Sequence, residues 1–138
     1  MKVFIVSFVI LTVALATEFD VSGSISCDSK KKWCYTVELL ESDYLDNDYM
    51  NHSTKCVEPG TESYQESYHI NGTQKDDGLW DYYFEIFVDF SHNCTGIQES
   101  FYHEVAIVPI TEKSFEKNGL DFDFNKNLPI ESKKEGSE

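Results

Sequence analysis

The chain has 138 residues, 25 of them acidic and 11 basic, a formal charge of −14 at neutral pH, and no arginine. That balance speaks against nucleic acid as a partner, because the lysine and arginine stripe that phosphate backbones require is missing. It speaks equally against direct docking on anionic lipid, which polybasic segments perform.

Met1-Lys2 supplies one positive charge and Val3 to Val13 is almost wholly apolar. Ala14-Leu15-Ala16 then offers small residues where signal peptidase cuts, so residues 1–16 read as a secretory signal peptide. The apolar run is shorter than the ~20 residues that cross a bilayer, so no transmembrane segment is expected. Residues 17–130 are the size of one domain able to bury a core. The tail at 131–138 has no apolar residue after Glu131 and is expected to be disordered.

Phe19, Val21, Gly23, Ile25 and Cys27 alternate with Asp20, Ser22, Ser24 and Ser26, which predicts a first strand. After a polar turn, Trp33, Tyr35, Val37 and Leu39 resume the alternation with Cys34 on the opposite side. The two strands are expected to form a hairpin. Residues 41–59 interleave Asp43, Asp46 and Asp48 with Tyr44, Leu45, Tyr49 and Met50. That segment reads equally as a short helix or as a long connection between sheets. Tyr64 to Ile70 is a weaker strand, closed by Asn71-Gly72.

The dominant signal runs from Trp80 to Cys94. Trp80, Tyr82, Phe84, Ile86, Val88 and Phe90 fall on every second residue, so one side of a strand is continuously aromatic and aliphatic. Wound as a helix, the same segment would carry Asp81, Glu85 and Asp89 as a stripe through its apolar part. Phe101 to Val108 follows, with Val105 and Ile107 expected inward, and Leu120, Phe122 and Phe124 form the last alternation. Short strands, turn signals and no convincing long helix indicate an all-β antiparallel sandwich of about seven strands. Its expected core is Val21, Ile25, Val37, Leu39, Tyr82, Phe84, Ile86, Val88, Val105, Ile107 and Phe122.

Four cysteines, Cys27, Cys34, Cys56 and Cys94, follow the signal. An even number in an exported chain implies two disulfides, with three connectivities open, including a hairpin pair Cys27 with Cys34. No pair has the short spacing of a zinc knuckle. Sequons stand at Asn51, Asn71 and Asn93, and the cysteine inside the third favours glycan on the first two.

The order of these pieces resembles the transthyretin-like family of secreted nematode proteins. Val21-Ser22-Gly23-Ser24-Ile25-Ser26-Cys27 is similar to that family's V-x-G-x-[LI]-x-C strand. Val37-Glu38-Leu39 with the acidic run to Met50, Tyr68-His69-Ile70-Asn71-Gly72, and Asp81 to Ile86 followed by His92-Asn93-Cys94 resemble later segments in the same order. Ser63 to Glu66 lacks the family's turn glycine, and Tyr82 replaces its proline. The resemblance implies an immunoglobulin-like transthyretin sandwich and a Cys27–Cys94 disulfide, leaving Cys34 with Cys56. The transthyretin-related hydroxyisourate hydrolases share that fold and need catalytic histidines, an arginine and a terminal Tyr-Arg-Gly-Ser, whereas this chain has no arginine and reads Lys134-Glu135-Gly136-Ser137-Glu138 there, so that chemistry is not expected.

His52, His69, His92 and His103 stand in no metal or catalytic spacing and read as surface or strand-edge residues. Asp43, Asp46 and Asp48 are weak calcium candidates, because the D-x-D-x-D-G spacing is missing. Outward Tyr83 and Phe87 are the candidate binding residues. The expected function is therefore non-enzymatic and cofactor-free: a secreted protein that recognises an extracellular protein partner through loops or a sheet edge. The rivals are a carrier of a small apolar ligand or lipid, and a calcium-bridged adaptor on anionic membrane.

Overall fold

The computed structural model describes residues 16–43, 47–59, 65–75 and 82–130. Residues 1–15 of the expected signal peptide, Tyr44, Leu45, Asp46, residues 60–64, residues 76–81 and the tail at 131–138 lie outside them. Nine strands are described: β1 (Thr17–Ser26), β2 (Trp33–Ser42), β3 (Asn47–Val57), β4 (Gln65–Gln74), β5 (Tyr83–His92), β6 (Glu99–Pro109), β7 (Ser114–Lys117), β8 (Phe122–Asp123) and β9 (Leu128–Pro129). The long strands form two antiparallel sheets, β4-β1-β8-β9 with β7 also on β1, and β3-β2-β5-β6. This is the expected all-β sandwich, and among the described residues no helix is long and apolar enough to cross a membrane.

The expected hairpin of the first two strands does not form. β1 pairs with β4 in one sheet, while β2 pairs with β3 and β5 in the other. The polar turn between them is thus an inter-sheet crossing. The acidic segment after Leu39 is neither helix nor loop over most of its length: β3 lies antiparallel along β2, its alternation hidden because it is a largely exposed edge. Asn71-Gly72 does not close β4, which continues to Gln74. Gly72 shares the inward side of β4 with Tyr68 and Ile70, and glycine is needed there because a Cβ would meet Met50 Cβ at 2.7 Å.

Both sheets contribute their alternate residues to one core. Phe19, Val21 and Ile25 from β1 meet Val37 and Leu39 from β2 and Phe84, Ile86, Val88 and Phe90 from β5. Phe90 sits at the centre of an aromatic cluster, its ring centroid 4.8 Å from Phe122, 5.3 Å from Tyr68 and 5.4 Å from Phe124. Offset and edge-on pairs of this kind contribute about 0.5–1.5 kcal/mol each beyond area burial. Gly23 is required by the crossing that brings the last strands in. β7 and β8 both run parallel to β1, and between them the Leu120 carbonyl lies 2.0 Å from where a Cβ on residue 23 would stand.

Two expected core residues face water. Ile107 is 57% exposed and Tyr82 is 63% exposed. The pairing of β5 with β6 slips between Ile86 and Phe87, inserting Val105 as an extra residue. A bulge of this kind inverts the facing of everything beyond it. Val105 is therefore only half-buried, and Val108 replaces Ile107 in the core. Tyr82 precedes the first paired residue of β5.

Candidate functional site

The sulfurs of Cys27 and Cys94 are at bonding distance, as are those of Cys34 and Cys56, and no described cysteine is free. The first pair ties the end of β1 to the end of β5 and so joins the two sheets. The second is a cross-strand pair on β2 and β3. Closing loops of 67 and 22 residues contributes about 4 and 3 kcal/mol on the chain-entropy account.

His92 is a correction to the surface reading of the histidines, since it is 1% exposed. Its Nδ1 accepts the Cys94 N–H at 3.3 Å, so Nε2 carries the proton and donates to Asn127 Oδ1 at 2.7 Å. The ring stacks on Phe124 at 4.1 Å. Burial holds its pKa below the usual imidazole value, against the opposing pull of Asn127 and Glu99. Asn127 adopts a positive φ of 54°, which asparagine tolerates, and this turns its side chain toward the histidine. Such a neutral, fully engaged imidazole holds the end of β5 in place. His69 pairs with Asp20 on the surface and His103 packs edge-on to Phe122.

The sequon residues occupy three different settings. Asn71 is exposed on β4. Asn51 is half-buried, and its Nδ2 donates to the Asn71 carbonyl at 2.8 Å. Asn93 accepts the Cys34 N–H at 2.7 Å through Oδ1. Asp43 and Asp48 converge with Glu41, which the sequence reading passed over: one carboxylate oxygen from each lies within 4.8 Å of the others. Glu41 is wholly buried, and its Oε1 accepts the Glu85 N–H at 3.4 Å. Asp46 lies outside the described residues.

A groove of about 540 Å³ runs beside β1, β4 and β7, but Glu18, Asp20, Asn51, Asn71 and Glu116 on its walls suit polar contacts better than a lipid tail.

The outer surfaces of the sheets differ more than anything inside them. On the first, β1 presents Asp20, Ser22, Ser24 and Ser26 beside Ser67, His69, Asn71 and Thr73 of β4. On the second, Leu40 of β2 lies between Tyr49 of β3 and Phe87 of β5. Beyond them come Tyr83 at 51% exposure, Tyr102 at 76% and Ile107. The Phe87 and Tyr102 rings are in contact, with centroids 6.1 Å apart. Interspersed with this apolar surface are Glu38, Glu85, Asp89 and Glu104. The structure thus gathers Tyr83 and Phe87 on one face and adds Leu40, Tyr102 and Ile107. Tyr102 was legible as the outward neighbour of Phe101, whereas Ile107 depended on the bulge.

A family model described as Caenorhabditis elegans protein of unknown function (DUF870) matches residues 22–127. Among curated proteins, the chain is similar to "Uncharacterized protein B0416.7" of Caenorhabditis elegans, with 32% identity over 78 residues. That alignment spans 56% of each chain, so little more than half the length of the relative is matched. No solved structure matches.

Proposed function

We propose that this chain, which belongs to the family described as Caenorhabditis elegans protein of unknown function (DUF870), is a secreted, non-enzymatic binding protein that docks an extracellular protein partner on the outer face of its four-stranded sheet. The observation that carries the reading is the apolar surface made by Tyr83, Phe87, Tyr102 and Ile107 on that face. Contiguous exposed aromatics mark interaction surfaces, and tyrosine in particular supplies area at low entropic cost.

Export is supported by the leader-like residues 1–16 and by two cysteine pairs at bonding distance. The resemblance to secreted transthyretin-like proteins points the same way. The face itself differs from the loops or sheet edge expected from sequence. Glycan on Asn71 fits this arrangement, because that residue sits on the polar face and leaves the aromatic one clear.

The test is affinity capture from extracellular fluid with the wild-type glycoprotein and a Tyr83→Ser/Tyr102→Ser/Ile107→Ser variant. A protein retained by the first and lost by the second supports the reading. Identical capture by both, or copurifying lipid as the sole ligand, overturns it.

A further inference from the structure

Glu38 and Asp89 stand directly opposite one another on the outward side of the β2–β5 pair. Like charges in that register repel. Among the described residues, neither carboxylate has a lysine or histidine within ion-pair distance. On the neighbouring strands, His52 of β3 lies opposite Glu38 with its Nδ1 engaged by the Tyr49 hydroxyl, and Tyr102 of β6 lies opposite Asp89. No outward register position on β2, β3, β5 or β6 carries a lysine.

Beside this pair is a cleft of about 420 Å³, lined by Leu40, Ser42, Asn47, Phe87, Asp89 and Tyr102. Partial burial, and then the Glu38 charge, push the Asp89 carboxyl above the usual range although the Phe90 N–H opposes the shift. A cleft with Leu40, Phe87 and Tyr102 on one part of its wall and the Asp89 carboxylate with Ser42 and Asn47 on the rest suits a cation on an aliphatic stem, which gains from both. It suits a hard divalent ion poorly, since one carboxylate with the neutral Ser42 and Asn47, among two rings and a leucine, falls short of the charged oxygen shell such an ion takes.

Building on the docking face inferred above, we propose that this cleft is a socket for a lysine or arginine side chain of the protein partner. The methylene stem lies against Leu40, Phe87 and Tyr102, and the charge meets Asp89 with Glu38 alongside. A protein side chain is the occupant, not a free amine, because Tyr49, Tyr83 and Ile107 continue the apolar surface around the cleft and a small amine would leave them bare.

The test uses the peptide acetyl-Leu-Lys-Leu-Lys-Leu-amide and its lysine-acetylated counterpart, titrated into the isotope-labelled protein and followed by amide NMR shifts. The lysine peptide is expected to shift residues 39–42, 86–90 and 101–104 and to bind about tenfold more tightly than the acetylated one. That preference should fall toward unity in Asp89→Asn, a near-isosteric change whose folding is checked by its spectrum. It should also weaken with added salt.

Equal binding of the two peptides overturns the socket while leaving an apolar docking face in place. An unchanged preference in Asp89→Asn overturns it too, as does butylammonium binding as tightly as the peptide. Absence of any shift on this face from either peptide overturns the socket and counts against the face as well.

Discussion

The two outward surfaces of this sandwich, one centred on β1 and β4 and the other on β2 and β5, are built from ten-residue strands of opposite character. On the five-stranded sheet the exposed polar groups satisfy one another: Ser24 donates to Asp121 at 2.8 Å, Ser22 to Asn118 at 2.6 Å, and His69 meets Asp20 at 2.8 Å. On the four-stranded sheet, rings and aliphatic chains stand beside Glu38 and Asp89, which among the described residues have no lysine or histidine at ion-pair distance. Exposed apolar area is ordinary when scattered. Its gathering at Tyr83, Tyr102 and Ile107 on one face is not, because the outward positions of β1 and β4 on the other are polar; Ile97, Leu128 and Ile130 are the scattered kind.

The largest effects come from breaking the frame that both faces share. Phe90→Ala should lower unfolding free energy by about 4 kcal/mol, read from denaturant midpoints, since it removes the hub of the aromatic cluster. Loss of the sheet-to-sheet bridge in Cys27→Ala/Cys94→Ala should lower it by a similar amount, about 4 kcal/mol.

A pH titration of stability separates the interior from the surface. His92 binds its proton less readily folded than unfolded, and so does half-buried His103. Stability should therefore be complete above about pH 6.5 and fall as pH drops through the interval between that unfolded value and the lowered folded ones. His92→Gln should flatten most of that slope, with His103 responsible for the remainder.

The smaller effects set one face against the other. Asp89 has a raised folded pKa, so its ionisation opposes folding; that penalty is absent below the unfolded carboxylate value near pH 4 and develops as pH rises. Asp89→Asn should then raise the melting temperature at pH 7 and leave it unchanged at pH 3. Asp20→Asn on the polar face loses only an exposed contact with His69 and should stay within about 0.5 kcal/mol of wild type. Tyr102→Ser should be equally mild in stability, at about 0.5 kcal/mol, while reducing partner capture; Asn71→Gln should alter neither.

The buried half of the fold was legible in the residues themselves. The alternations of β1, β2 and β5 are strict because each has one face in the core, and periodicity reports that directly. β3 was illegible because an edge strand with both sides wet has no alternation to display. The bulge at Val105 was illegible for another reason: an inserted residue changes which side chains face inward without changing composition. It turned Ile107 from a predicted core residue into part of the exposed apolar face. His92 went unrecognised because its neutrality comes from burial, and its ring is held by Asn127, Cys94 and Phe124, contacts that only the folded chain assembles.

Hydroxyl-radical footprinting of the protein with its captured partner tests the central claim most directly, since it reads side-chain access on both faces at once. Tyr83, Tyr102 and Ile107 should be protected on binding while His69 labels at the free rate. Protection of His69 with Tyr102 left fully reactive would contradict the account.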